Sequence, residues 1–428
     1  MVKNLNVDGG VNRRLDVLVG MVVAIGTMFV VLSPIRLAVL VLISIVAVPL
    51  WAGRSHSPAT KMFRIAILIW VTSIFLIGLA HGSARYSTWY MAAYPLAIFS
   101  IAMFIQSVSK DSTERYISLA FWISLGLGAG YLVQPIGITG VDPLKAGPGI
   151  ALSIAIFAYL SWRQPRPTTI FLISVGFGAF LLAQDFRNAA AAAIVTGLMA
   201  AFFGRFPRTP TIPRAILVLT AAVAASLVMV STLTALAGSG YLGADLAALT
   251  EKQSQADGGI IVGGRPETLA SVVAIESAPI LGRGGSPRLN YAERLDAIDR
   301  MTKAGIRPSP VEINRIVGSQ VNSHSVFFSA WVAYGLVGAL AWLGVLGIIW
   351  TAALRSLMLV GRLYPLLLFG AIQLSWDIFF SPWNARSEVI FGLFCALAIF
   401  ELRSYRGQRS KFSSTSFRNR VKLSGKQS

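Results

Sequence analysis

Apolar runs of membrane-crossing length, separated by short polar breaks, fill most of this chain. A helix that spans a bilayer takes roughly 20 mostly apolar residues. Runs of that kind fall at about 15–33, 35–51, 63–80, 89–107, 116–133, 148–162, 169–183, 188–204 and 215–237, and again at 325–351, 357–379 and 387–402. They predict an all-α polytopic membrane protein with about twelve transmembrane helices. The first run lacks a small-x-small cleavage pattern after its apolar core, so it reads as a retained helix.

One connection is far longer than the rest. Residues 239–321 separate the ninth run from the tenth, and loops of such length are usually functional or disordered. This one has helical periodicity. Pro266 suits the first turn of a helix, with Leu269, Val272, Val273 and Glu276 following it. Tyr291, Leu295, Ile298 and Met301 then recur on one face, surrounded by Glu293, Arg294, Asp296, Asp299 and Arg300. Such helices suit a membrane surface and would roof a cavity. The chain thus divides into helices one to nine over 1–238, a large partly helical loop over 239–321, helices ten to twelve over 322–402, and a polar tail over 403–428.

Composition agrees with a bilayer environment. Of 428 residues, 55% are hydrophobic and 13% charged, about half the charged share of a soluble domain. The formal net charge of +19 is placed by topology. With the N-terminus cytoplasmic, the cytoplasmic connections and tail collect Arg54, Lys61, Arg64, Lys110, Arg115, Arg163, Arg166, Arg205, Arg208, Arg214, Arg355 and Arg362. The tail adds Arg403, Arg406, Arg409, Lys411, Arg418, Arg420, Lys422 and Lys426. Each short opposite loop holds about one cation: Arg36, Arg85, Lys145, Arg187 or Arg386. This positive-inside bias sets both termini in the cytoplasm and the long loop outside. It accounts for the charge through topology and anionic lipid, with no nucleic-acid partner. The single cysteine, Cys395, rules out an intrachain disulfide.

The candidate chemistry lies on the outer side. Arg187, in Gln184-Asp185-Phe186-Arg187-Asn188-Ala189-Ala190, either snorkels to the interface or meets an anion at a helix N-terminus. Arg265, in Gly263-Gly264-Arg265-Pro266, is either a solvated loop arginine or a second anion contact at a helix start. Pro279-Ile280-Leu281-Gly282-Arg283-Gly284 reads as a tight glycine turn. His324, one of three histidines, stands where the loop re-enters the membrane. It is either structural or a proton acceptor near neutral pH. Several arginines beside helix N-termini suit a diphosphate, which a guanidinium grips in bidentate fashion. The loop offers no carboxylate or histidine cluster of metal-site character, so the expectation is chemistry without metal or cofactor.

Three stretches carry a resemblance. They are Leu181-Leu182-Ala183-Gln184-Asp185-Phe186-Arg187-Asn188-Ala189-Ala190; Gly263-Gly264-Arg265-Pro266 followed by Pro279-x-x-Gly282-x-Gly284; and His324-Ser325 running through Tyr334-Gly335-Leu336-Val337-Gly338. In order and spacing the chain resembles the O-antigen ligase and O-antigen polymerase family of bacterial envelope glycan assembly. It departs from the family's pattern at Phe186, at Pro266 and at Ala146-Gly147-Pro148-Gly149. The resemblance implies an inner-membrane glycosyltransferase with its site facing the periplasm. Its donor would be a glycan on undecaprenyl diphosphate and its acceptor a glycan or lipid core, with membrane lipids as surroundings. Transfer would be inverting and metal-independent. Arg187 and Arg265 would hold the diphosphate, Arg386 would add a contact, and His324 would position or deprotonate the acceptor. A polytopic transporter or flippase of lipid-linked glycans is the alternative. It fits less well, because the span interiors hold almost no ionisable residues and no inverted repeat is visible.

Overall fold

A computed structural model describes residues 9–28, 58–82, 85–109, 112–133, 148–184, 186–205, 211–241, 265–306, 309–318, 323–382 and 387–404, with positions 244, 247, 248, 250, 251, 320 and 321. Within them the regular structure is helical. In chain order the helices are α1 (Gly9–Met28), α2 (Pro58–Ala80), α3 (Arg85–Ser109), α4 (Thr113–Val133), α5 (Pro148–Arg163), α6 (Pro167–Ala183), α7 (Arg187–Phe203) and α8 (Ile212–Gly238). Then follow α9 (Glu267–Ser277), α10 (Tyr291–Lys303), α11 (Pro310–Val317), α12 (Val326–Leu359), α13 (Tyr364–Phe380) and α14 (387–404). Eleven of these, all but α9 to α11, fall on expected apolar runs. The run at 35–51 lies outside the described residues.

Among the described residues four helices contain stretches long and apolar enough to cross a membrane: Thr60–Ala80, Met91–Ser109, Ile212–Gly238 and Val326–Leu359. Shorter apolar helices accompany them at Pro167–Ala183, Arg187–Phe203 and Tyr364–Phe380. The first stretch presents exposed Met62, Ile65, Leu68, Ile69 and Leu76, and α8 presents Ile216, Leu217, Leu227 and Val228. Such surfaces are stable against hydrocarbon and costly in water. The bundle interior is built around α14, where every residue from Ile390 to Phe400 is buried. Phe394 fills the space left by Gly370, whose missing Cβ would sit 2.0 Å from the ring. Phe391 meets Trp342 at 4.9 Å between ring centroids, and Tyr116 stacks on Phe400 at 4.3 Å. Small residues opposite large rings let the helices approach closely, which is how bundles pack where lipid gives no hydrophobic drive.

One boundary differs from the sequence reading. The tenth and eleventh runs were expected to part near 351–357, with Arg355 in a connection. In the structure α12 continues to Leu359, and the chain turns at Val360, which is left-handed (φ 52), and Gly361. Ala352-Ala353-Leu354-Arg355 contains no helix breaker, so hydropathy falls there while helicity does not.

The break in α12 lies elsewhere. Tyr334 (φ −124, ψ 15) and Gly335 (φ 60, ψ −152) leave helical geometry in mid-element. The backbone groups released there are taken up by the loop. The Arg283 and Gly284 N–H groups donate to the Val332 and Ala333 carbonyls at 2.9 Å, and the Leu336 N–H donates to the Ile280 carbonyl at 3.1 Å. The Trp331 indole adds a bond to the Pro279 carbonyl at 3.0 Å. The glycine turn is thus a backbone plug for an interrupted helix, and the opposed glycines are the reason it fits. A Cβ on Gly335 would lie 1.9 Å from the Ile280 carbonyl oxygen, and one on Gly282 would lie 2.4 Å from the Gly335 nitrogen.

The rest of the loop forms a small lobe. Ala270, Val273, Ala274, Leu289, Ala297, Met301, Ile316 and Val317 make its core. Asn290 and Ser309 begin α10 and α11 with reciprocal capping boxes through Glu293 and Glu312. Arg283 ties the lobe together: it pairs with Glu293, donates to Ser277, and reaches the Arg288 carbonyl at 2.6 Å and the Ala274 carbonyl at 3.3 Å. Arg300 holds Glu276 through two bonds of 2.9 and 2.7 Å. α9 and α10 fall where the periodicity placed helices, α9 burying Ala270, Ser271 and Ala274 where Leu269, Val272 and Glu276 were expected to mark its face; α11 was not anticipated.

Candidate functional site

The site is assembled where α9 begins and α12 begins. Pro266 precedes α9 and its fixed φ suits a helix start. Arg265 therefore stands two residues before the helix, and Glu267 opens its first turn. Ser325 caps α12 by accepting from the Phe328 N–H at 3.2 Å, and its own hydroxyl donates to the Ile378 carbonyl at 3.1 Å. That double use fixes the backbone on which His324 sits. Ser271 of α9 and Ser323 share a hydrogen bond of 2.6 Å, and Ser329 donates to the Ser323 carbonyl at 3.2 Å. The two helix starts are thereby joined side by side.

His324 and Glu267 meet in this joint. The His324 Nδ1 lies 3.3 Å from the Glu267 Oε1. The carboxylate side chain is only 5% exposed and the imidazole 36%. The Glu267 Oε2 is buried with no hydrogen-bond partner among the described residues. Burial holds the His324 pKa below its ordinary value; Glu267 opposes that shift, while the charges of Arg265 and Arg315 reinforce it. Arg315, on α11, is exposed. The imidazole is consequently neutral near pH 7, with one nitrogen turned to a carboxylate.

Arg265 is half-buried. Its guanidinium has no hydrogen-bond or ion-pair partner among the described residues. This sets it apart from Arg283, Arg300 and Arg362, each of which faces a carboxylate. A half-buried cation without a counter-ion leaves room for an anion supplied by a ligand.

Arg187 begins α7, with Phe186 as the N-cap residue. It donates to the Thr250 hydroxyl at 3.4 Å, and Thr250 is buried. The structure therefore brings Arg265 and His324 together, with Glu267 and Arg315, and it sets Arg187 against the first part of the long loop. Arg386 lies outside the described residues. Among the described residues no group of three histidine, cysteine, aspartate or glutamate side chains is arranged to hold a metal ion.

Glu267 and Arg315 were not singled out from the sequence. A glutamate in a first helical turn is already explained by the helix dipole, so it attracts no notice. The available signal was its spacing of two residues from Arg265 in Arg265-Pro266-Glu267.

Apolar helices of membrane-crossing length, a lobe stitched into a helix break, and a histidine–glutamate pair beside a half-buried arginine define a multi-pass membrane protein with an ordered polar site. Residues 170–343 match the family model described as O-antigen ligase. The likeness is to that stretch, and the family is one of membrane glycosyltransferases acting on lipid-linked glycans. Arg187, Arg265, Glu267, the glycine turn, His324 and the α12 break all fall inside the matched stretch. Among curated proteins none matches the chain.

Proposed function

We propose that this protein transfers a glycan from an undecaprenyl diphosphate carrier to an acceptor hydroxyl at the periplasmic face of the bacterial inner membrane. Arg265, half-buried beside His324 and without a hydrogen-bond or ion-pair partner among the described residues, is the observation that carries this reading. The acceptor hydroxyl gives its proton to His324 and its oxygen attacks the anomeric carbon, with inversion. The diphosphate departs with the bonding electrons, and Arg265 and Arg187 stabilise the charge that develops on it. Arg386 adds a further phosphate contact. A leaving group neutralised by arginines needs no metal ion. The topology that serves this chemistry has about twelve spans, both termini cytoplasmic and the 239–321 loop outside. Ligase and polymerase chemistry share this bond change, and the acceptor separates them.

A deletion strain tests the reading on an envelope-glycan gel. Polymer lost from the lipid core, with carrier-linked polymer accumulating, identifies a ligase. Single repeat units on the core identify a polymerase. Complementation with Arg187→Ala, Arg265→Ala or His324→Ala should fail while the protein still inserts. Wild-type glycan from all three variants, or transfer abolished by a chelator and restored by a divalent ion, would overturn the assignment. An unchanged glycan in the deletion strain would return the transporter alternative.

A further inference from the structure

We infer that Glu267 is the positioning residue of the proton acceptor: it accepts the Nδ1–H of His324 and so leaves the Nε2 lone pair for the acceptor hydroxyl. This rests on the glycosyl-transfer reading above. The geometry is the 3.3 Å approach of Nδ1 to Oε1, made by the first turn of α9 against the residue before the α12 cap. Two alternatives account for less. A first-turn carboxylate that merely stabilised its helix would do so from an exposed rotamer, and this one is 5% exposed. A purely structural ion pair would bury both partners, whereas His324 keeps about a third of its surface open. A buried carboxylate is costly unless a donor meets it, and the imidazole Nδ1 stands 3.3 Å from Oε1. The tautomer follows, because Nδ1 must carry the hydrogen if it faces an ionised oxygen.

The charges around the imidazole give Glu267 a second effect. The groups acting on His324 are Glu267 from α9, Arg265 just before α9, and Arg315 from α11. Both arginines disfavour a positive imidazole, and Glu267 is the anion that opposes them. The arginines suit the diphosphate but weaken the base beside them, and Glu267 restores its basicity. In the reaction the acceptor O–H bond breaks and its proton goes to Nε2. The oxygen's electron pair forms the bond to the anomeric carbon. The bond from that carbon to the diphosphate oxygen breaks, and its electrons leave with the diphosphate. The imidazolium so formed retains Nδ1–H toward Glu267 and then releases its new proton to solvent.

Substituting the carboxylate separates the two effects. In Glu267→Gln the amide can turn its NH2 toward Nδ1, which places the histidine hydrogen on Nε2 and blocks proton transfer. In a serine protease triad the same change from carboxylate to amide costs about 10⁴-fold in kcat. Purified full-length protein is supplied with undecaprenyl diphosphate-linked oligosaccharide and acceptor in host membranes lacking the native gene, and release of undecaprenyl diphosphate is followed. Glu267→Gln should lower kcat on the order of 10²-fold or more with KM nearly unchanged. Glu267→Asp, which keeps the carboxylate, should recover part of the loss.

A second measurement does not depend on turnover. The chain has three histidines, so His56→Gln with His81→Gln leaves His324 as the sole target of diethyl pyrocarbonate, which modifies neutral imidazole. Its modification midpoint should move to lower pH by about one unit in Glu267→Gln, because the arginines then act unopposed. An unchanged midpoint together with a kcat within about 2-fold of wild type would overturn the inference. If Glu267→Gln is wild type while His324→Ala is inactive, this inference alone fails. If His324→Ala transfers normally, the glycosyl-transfer site itself is misassigned.

Discussion

Gly335→Ala offers the sharpest test of how the loop is held. The residue has φ 60 and ψ −152, a region essentially reserved for glycine, and placing a side chain there costs about 1–3 kcal/mol. The added Cβ would also sit 1.9 Å from the Ile280 carbonyl oxygen and 2.7 Å from the Gly282 nitrogen. Both are backbone atoms, so the clash is relieved only by moving the turn away. That motion breaks the Arg283, Gly284 and Leu336 backbone bonds, each worth about 0.5–1.5 kcal/mol net. The sum is a loss of about 2.5–7.5 kcal/mol for the docked arrangement. Gly344→Ala and Gly347→Ala on the same helix are the controls, since a Cβ at either meets nothing within 4 Å. These should be neutral, or stabilising by up to about 1 kcal/mol. Protein reconstituted in nanodiscs is followed by limited proteolysis of the loop and by thermal unfolding. Gly335→Ala should expose the 265–321 segment to cleavage and abolish transfer, with the helices retained. Equal protease protection and equal Tm in Gly335→Ala and Gly344→Ala would refute the plug.

Three further outcomes are expected. Arg265→Lys should transfer little better than Arg265→Ala, because an ammonium lacks the planar bidentate fork; partial activity close to wild type in a kcat/KM measurement would count against diphosphate binding. Arg283→Ala should destabilise the lobe by about 2–4 kcal/mol by leaving Glu293 without its charged partner, seen as faster hydrogen exchange in α10, whereas exchange at the wild-type rate would show that the pair contributes nothing. The depressed His324 pKa implies that folding favours the neutral imidazole, so this group's contribution to stability is full above the unfolded value near 6.5 and declines as pH falls through that value toward the folded one. Titrating Tm from pH 8 to pH 5 in wild type and His324→Gln should give a steeper acid fall in wild type; parallel curves would refute it.

The helices were legible because apolar length is a strong signal, and α9 and α10 because helical spacing of apolar residues and a proline at a helix start survive in a polar loop. The break in α12 was not. Gly335, Gly344 and Gly347 lie in the same apolar run, and only the first departs from helical geometry. What distinguishes it is the turn at Ile280–Gly284, some fifty residues away in sequence and invisible to any local window. Arg265 and His324 were legible as chemistry-bearing types next to helix starts. Glu267 was hidden by an adequate local explanation, and only its burial shows that the explanation is incomplete. Hydropathy also mislocated the end of α12, since Arg355 interrupts the apolar run without interrupting the helix.

The plug and the acid–base pair belong to one construction. α9 runs alongside the first segment of α12 in the same direction: Glu267 and Ser271 face His324 and Ser323, while Ile280–Gly284 faces Val332–Leu336. The eleven residues of α9 span about 16 Å, and the α12 stretch from Val326 to Tyr334 spans about 13 Å. The position of the break thus matches the length of the loop helix. A helix pair held only at one end can slide by a turn, about 5.4 Å, and a slip of that size would carry Glu267 out of reach of His324. Three backbone bonds at the far end remove this freedom, because a shifted turn would leave the Val332 and Ala333 carbonyls unpaired. The interruption of α12 therefore sets the register that brings Arg265 and Glu267 to His324. A glycine pair about 13 Å away, with no contact to the reacting groups, becomes a determinant of their geometry.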